Sequence, residues 1–262
     1  MSEGIEVFSA AYIGTGIFVI LIGLVFGSFL NVLVARIPND ENVAFPASHC
    51  PKCKTPLKLY HNIPVFSWLF LKGRCAFCHD KISIQYPIVE LLTGIIFASV
   101  YFKLGLNYMS IMIMLSFSFL LALSVIDYYI KMVPDSLNLL ALSTAIVAAM
   151  SLQGFVINFQ NALLFVGGFA LLRFYLSYFM KREALGEGDL MVAGTMGAMV
   201  GIQLGLMAIF VSAILALPVM LIMRNETDES KMVPFVPFLA MALYLVYIFD
   251  FAFLGFWNSL YG

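Results

Sequence analysis

Two aspartates, Asp127 and Asp189, interrupt long apolar stretches 62 positions apart, and the second closes the string Gly186-Glu187-Gly188-Asp189. An ionised carboxylate beside a membrane-spanning segment is costly unless water or a partner reaches it, so two of them on one side point to a water-accessible functional site. Aspartates that meet closely enough to share one proton form a hydrolytic pair. The ionised member activates water as general base, the protonated member polarises the scissile carbonyl, and no covalent intermediate is needed. Gly186 and Gly188 suit such a site because they let the backbone turn sharply and let a substrate strand approach unobstructed. The competing role for Asp189 is a cap on the helix that begins there. Asp135 rivals Asp127 for the first position, but it follows Pro134 and precedes Ser136-Leu137, a helix start, which favours a capping role. Asp250 falls on the wrong side to join the pair. Glu90 sits one turn into the second span, where it is expected to bind a backbone group or a substrate amine.

The four cysteines form a second constellation. Cys50-Pro51-Lys52-Cys53 and Cys75-Ala76-Phe77-Cys78 are two CxxC pairs separated by 21 residues. Tetrahedral zinc accepts four thiolates, each pair supplying two from a tight turn, so the spacing predicts a structural zinc site. With four thiols available, His49, His61 and His79 are expected at the surface. A closed all-thiolate site has no open position for hydrolysis, and its metal supplies folding free energy to a small, proline-broken segment.

The elements that must position these groups follow from composition. With 62% hydrophobic and 11% charged residues over 262 positions, the chain is an integral membrane protein, and a net charge of -1 excludes a generally basic nucleic-acid binder. Glu3 and Glu6 without a basic residue give the N-terminus no signal-peptide character, so the first apolar run is expected to be a retained helix. Apolar runs cover Tyr12 to Val34, Pro87 to Tyr101, Met109 to Ile126, Leu137 to Leu152, Phe155 to Met180 and Val233 to Leu254. The 34 uncharged residues between Asp189 and Arg224 span about 51 Å as helix against about 60 Å for two crossings. A short hairpin turning at Gly201-Ile202-Gln203 is therefore expected, its first limb stunted enough to admit water near Asp189. The predicted fold is an all-α polytopic membrane protein of about eight transmembrane helices. Its expected organisation is a first helix over 1–35, a cysteine-bearing zinc subdomain over 36–85 and a transmembrane core over 86–262. With the N-terminus outside, the inner segments or adjoining helices hold every basic residue except Lys103, and both aspartates fall at inner helix ends. Arg173 lies inside a span and is expected to snorkel inward.

Gly27-Ser28-Phe29-Leu30-Asn31-Val32 running into Arg36-Ile37-Pro38, both CxxC pairs, Asn62-Ile63-Pro64, Lys72-Gly73-Arg74 and Tyr86-Pro87-Ile88-Val89-Glu90-Leu91-Leu92 follow in order. With Ile126-Asp127, Val133-Pro134-Asp135, Leu185-Gly186-Glu187-Gly188-Asp189, Pro234-Phe235 and Pro237-Phe238-Leu239, the chain resembles the type IV prepilin peptidases over nearly its whole length. The resemblance implies a GxGD-type intramembrane aspartyl protease of the bacterial inner membrane, with Asp127 and Asp189 catalytic on the cytoplasmic side. It implies prepilin or pseudopilin substrates of type IV pilus or type II secretion systems, cut just after a glycine that ends a short basic leader. It also implies methylation of the new N-terminal amine from S-adenosylmethionine; the chain carries no glycine-rich cofactor fingerprint. Two positions depart from the family pattern: Met191 stands where a lysine is usual, and Val236 replaces the glycine of PFGPF. Acidic Asp40, Glu41, Glu183 and Glu187 could attract a basic leader or be solvated loop charges, the latter being the ordinary role of exposed acids.

Two other classes compete. A proton-coupled transporter would use the aspartates as carriers, but such sites sit near the bilayer midplane and these map to the inner boundary. A membrane thiol oxidoreductase would use the CxxC pairs, but their basic flanks place them on the reducing side.

Overall fold

The computed structural model describes residues 2–181, 185–223 and 234–261. Glu183, and the expected inner segment from Arg224 to Lys231, lie outside the described residues. The described chain is helical, with α1 (Ser2–Arg36), α2 (Phe66–Phe70), α3 (Gln85–Leu104), α4 (Tyr108–Ile130), α5 (Asp135–Val147), α6 (Leu152–Met180), α7 (Glu187–Met223), α8 (Val236–Ile248) and α9 (Asp250–Tyr261). Five of these helices are long and apolar enough to cross a membrane, and α8 with α9, bent by 85°, make a sixth candidate span. Of the eight expected segments, the fourth is the α5 helix of only 13 residues, and the sixth and seventh are the two limbs of α7, 37 residues in all, which meet at a break at Gly201.

That break falls where the turn is expected. Gly201 has φ 74 and ψ -173, a conformation that only glycine adopts without strain. Added Cβ atoms at Gly197 and Gly205 would both strike the ring of Phe165. A straight helix would hold positions eight residues apart about 12 Å from each other, so the limbs converge on one ring of α6. The first limb, residues 187–200, is about 21 Å long at helical rise, short of a hydrocarbon core of about 30 Å.

The burial pattern is that of a protein solvated by lipid. Large apolar side chains point outward along α1, α6 and α7, Phe18, Val25, Leu171, Phe174 and Phe210 among them. The interiors combine large side chains such as Leu30, Leu120 and Leu243 with small residues and with hydroxyls that return their hydrogen bonds to helix carbonyls, such as Thr93 to Val89 and Ser118 to Met114. Without water to drive association, close backbone packing takes over.

The chain divides into two compact units, residues 1–105 and 106–262. In the first, α1 packs on α3 through Gly23 and Gly27, and a Cβ at Gly27 would stand 2.7 Å from the Cα of Glu90. The cysteine segment connects these two helices within the same unit. In the second, α7 packs against α5, α6 and α8, and α4 against α5 and α8. Asp127 and Asp189 both belong to this unit.

Candidate active site and thiol cluster

Asp127 stands in the last turn of α4, which ends at Lys131 in the left-handed conformation, φ 58. Its side chain is buried, and its Oδ2 accepts a hydrogen bond from the backbone N–H of Val236 at 3.1 Å. Val236 is the first residue of α8, so the carboxylate meets an unpaired amide at the positive end of a helix dipole. Val236 is the position where the family pattern has glycine. The contribution there is a main-chain donor, which valine supplies equally, and its own side chain is fully buried.

Asp189 lies in the first turn of α7, and its Oδ2 accepts from the backbone N–H of Gly186 at 3.3 Å. This is half of a capping box: the third residue of a helix reaches back to the amide that precedes it. The capping role therefore exists, and it occupies one oxygen only. Each aspartate thus has Oδ2 fixed by a backbone donor and a second oxygen, Oδ1, to offer. Both carboxylates belong to the same compact unit, and the loop that carries Asp189 packs through Gly188 on Val133 of the connection that follows Asp127. Asp135 is exposed at the start of α5.

The segment between α4 and α5 holds the Gly-x-Gly-Asp loop in place. Among the described glycines, only Gly73, Gly105 and Gly201 have positive φ, so Gly186 and Gly188 do not serve a left-handed turn. Gly188 serves a close approach: a Cβ there would sit 2.5 Å from Cβ of Val133 and 2.7 and 2.9 Å from its methyl carbons. Asn138, fully buried on α5, donates from Nδ2 to the Gly188 carbonyl at 2.9 Å. Val133, Asn138 and the Val236 amide are site components that motif reasoning missed. Asn138 left one signal, a carboxamide inside the apolar run Leu137-Asn138-Leu139-Leu140. The Val236 amide left none, because every residue except proline carries one.

Arg173 reaches from α6 to Glu187, Nη1 to Oε1 at 3.1 Å, which brings its charge to the end of α7 that carries Asp189. Glu187 is 84% exposed, so the pair adds little stability and is chiefly a marker of direction.

In the other unit the four cysteines converge: their sulfurs all lie within 4.8 Å of one another, and Cys50 Sγ is 3.8 Å from Cys78 Sγ. Four thiolates about 2.3 Å from a tetrahedral metal stand about 3.8 Å apart, so the donor set fits such an ion. Two turns of the same design build it. Lys54 N–H donates to the Cys50 carbonyl and Cys50 N–H to Thr55; His79 N–H donates to the Cys75 carbonyl and Cys75 N–H to Asp80. Lys54 and His79 both take positive φ, 57 and 59, to close these turns. A salt bridge of 2.8 Å from Lys52 to Asp80 ties one turn to the other. The side chain and amide of Thr55 hold the Cys53 thiol down to about 6 and the amides of Cys78 and Phe77 lower Cys75, while, against the Asp80 amide, burial and the neighbouring sulfurs push Cys78 up to about 11, the pattern of thiols that share protons across one cluster. All four cysteines are free of disulfides.

Glu90, on α3 of the same unit, is buried, and its Oε2 accepts from the Val65 N–H at 2.7 Å. The backbone group expected as one of its alternatives is therefore Val65.

Residues 21–104 match a family model described as the bacterial peptidase A24 N-terminal domain, and residues 114–221 match one described as the type IV leader peptidase family. The chain is 34% identical over 252 residues to the prepilin leader peptidase/N-methyltransferase of Pectobacterium carotovorum subsp. carotovorum, covering 84% of this chain and 88% of that protein. It is 32% identical over 232 residues to the protein of the same description from Neisseria gonorrhoeae, covering 78% of this chain and 80% of that one. The Aeromonas hydrophila protein of that description is 31% identical over 254 residues, covering 86% and 87%. No solved structure matches the chain.

Proposed function

The chain belongs to the type IV leader peptidase family, and from that premise we propose that it removes the short basic leader from prepilins or pseudopilins with an Asp127–Asp189 dyad and methylates the amine it exposes. The observation that supports the proteolytic half is that both carboxylates lie in one compact unit, each with Oδ2 committed to a backbone amide at a helix head. The dyad shares one proton: one Oδ1 takes a proton from water as the other donates toward the scissile carbonyl oxygen. The tetrahedral intermediate then collapses with proton return to the leaving amine, and the dyad is restored.

The arrangement fits a cytoplasmic-side site. With the N-terminus outside, the basic segments lie inward, and the α6 arginine extends toward the Glu187 end. A first limb of α7 shorter than the bilayer core thins the apolar barrier beside Asp189 and admits water. In this reading the chain is a multi-pass inner-membrane protein, its leader-bearing substrate held with the basic end in the cytoplasm and the apolar helix in the lipid. The zinc-bound thiol cluster staples the segment between α1 and α3, and S-adenosylmethionine supplies the methyl group.

Reconstituted enzyme incubated with a prepilin and followed by mass spectrometry tests both halves. Loss of the leader with one added methyl on the new N-terminus is expected. An uncut substrate removes the peptidase, and a cut but unmodified amine removes the methyltransferase.

A further inference from the structure

Apolar side chains that face outward on a membrane span are solvated by hydrocarbon, but the segment between α1 and α3 carries a group of them outside any span. Phe66, Leu69 and Phe70 of the short helix α2 are 51%, 57% and 83% exposed, and Tyr60 and Ile63 just before them are exposed as well. We propose that this face of α2 docks into the headgroup layer of an anionic phospholipid bilayer, the same membrane that α1 and α3 cross.

Three features point to a lipid surface. The first is the separation of the two sides of α2. At helical spacing Phe66, Leu69 and Phe70 fall within an arc of about 100°, and Trp68 falls on the opposite side. Trp68 turns inward, donates from Nε1 to the Ile82 carbonyl at 3.2 Å and packs on Gly73, where an added Cβ would be 2.9 Å from its ring. The inner side of α2 is therefore committed to its own segment, and the apolar side faces away from it.

The second is depth. Val65 immediately precedes α2 and takes φ 64 and ψ -53 to enter it, a strained turn for a β-branched residue. Its N–H donates to Glu90 Oε2 at 2.7 Å. Glu90 lies five residues past the start of α3, the candidate span Gln85–Leu104, or about 7.5 Å along a helix. This bond holds the start of α2 at the level of the first turns of a span, and a helix lying in the interface buries its apolar face about 5–10 Å into the boundary.

The third is charge. Residues 42–84 hold Lys52, Lys54, Lys58, Lys72, Arg74 and Lys81 against the single acid Asp80, which pairs with Lys52. A zinc ion held by four thiolates returns two negative charges and still leaves the cations in excess. Lys72 and Arg74 stand exposed directly after α2, and the Lys58 ammonium lies 5.8 Å from the centre of the Tyr60 ring, an amphipathic group suited to headgroup level. Anionic headgroups complement such a surface, each basic residue near them favouring contact about fivefold. The basic leader of a prepilin would meet it with like charge. Docking keeps the cysteine-bearing segment in the plane from which an apolar substrate helix emerges.

The test uses the full-length protein in lipid nanodiscs, with the photoreactive residue p-benzoylphenylalanine in place of Phe70. In discs of phosphatidylglycerol and phosphatidylcholine, illumination should join position 70 to phospholipid, read by mass spectrometry as a lipid adduct on its peptide. Adducts confined to residues 106–262, to a second copy of the chain or to added prepilin, or no adduct at all, overturn the assignment. Amide exchange of the unmodified protein tests the charge. Residues 66–71 should exchange about tenfold or more slowly in these discs than in phosphatidylcholine alone, and Lys72→Gln with Arg74→Gln should remove most of that difference. Equal wild-type rates in the two discs, or a difference kept in full by a variant that elutes as wild type does, refute an anionic surface as the partner. Because the comparison of discs is made on the wild type, a variant that misfolds does not shield the proposal.

Discussion

Gly188→Ala is expected to disable the peptidase through one methyl group. The new Cβ would stand 2.5 Å from Cβ of Val133 and 2.7 and 2.9 Å from its methyls. Carbon pairs rest at about 3.5–4.0 Å, so the loop and the α4–α5 connection must separate by about 1 Å. Valine is stiff at χ1, and moving its methyls alone does not relieve the Cβ contact, so the backbone has to move. Overpacking of this kind costs about 1–3 kcal/mol of stability. The displacement falls one residue before Asp189, where a misplacement of about 1 Å lowers the rate about 100-fold. Single-turnover leader release by reconstituted enzyme, at matched protein and saturating prepilin, measures it. Gly186→Ala is the control. Its Cβ would meet Asp189 Oδ2 at 3.3 Å and nothing closer, so its loss should stay under about tenfold. Val133→Gly in the Gly188→Ala background opens the space and should return part of the rate, a coupling that an additive pair would not show. A Gly188→Ala enzyme within about twofold of wild type would refute the claim that this contact positions Asp189.

Two further outcomes are expected. Asn138→Ala removes the donor to the Gly188 carbonyl, so leader release should fall while thermal stability drops by about 1 kcal/mol, the usual net worth of one hydrogen bond; an unchanged rate would leave Asn138 a packing residue only. Cys50→Ser paired with Cys78→Ser should abolish bound zinc in metal analysis and expose residues 36–85 to protease; an intact, metal-free fold with a lost redox activity would favour a thiol oxidoreductase instead.

Much of the fold was legible because lipid imposes simple rules. Long uncharged runs mark α1, α4, α6 and α7, and Gly201 marks the break that divides the last of these. The thiol cluster was legible too, because two CxxC turns carry their ligands within four residues each. What escaped were contacts between distant stretches made by groups with no signature. The Val236 amide that holds Asp127 comes from 109 positions away, and a main-chain donor does not show in a residue's identity. Gly188 was visible as a glycine, yet its reason, the side chain of Val133, depends on packing and not on the conformational freedom that the motif suggests. Glu90 was visible as a costly carboxylate; that it captures Val65 on a strained turn required the fold. The count of candidate spans is lower than eight because a helix of 13 residues reads as a full segment by composition and because the two limbs on either side of Gly201 belong to one continuous element.

Leader cleavage by Asp127→Asn and by Asp189→Asn tests the central claim most directly. Each change keeps the shape of the side chain and removes the ability to share a proton. Both purified variants should elute as wild type does and release no leader in single-turnover assays, and Asp135→Asn should cut. An Asp127→Asn enzyme that cleaves, beside an Asp135→Asn enzyme that does not, would contradict the dyad and move its first role to Asp135.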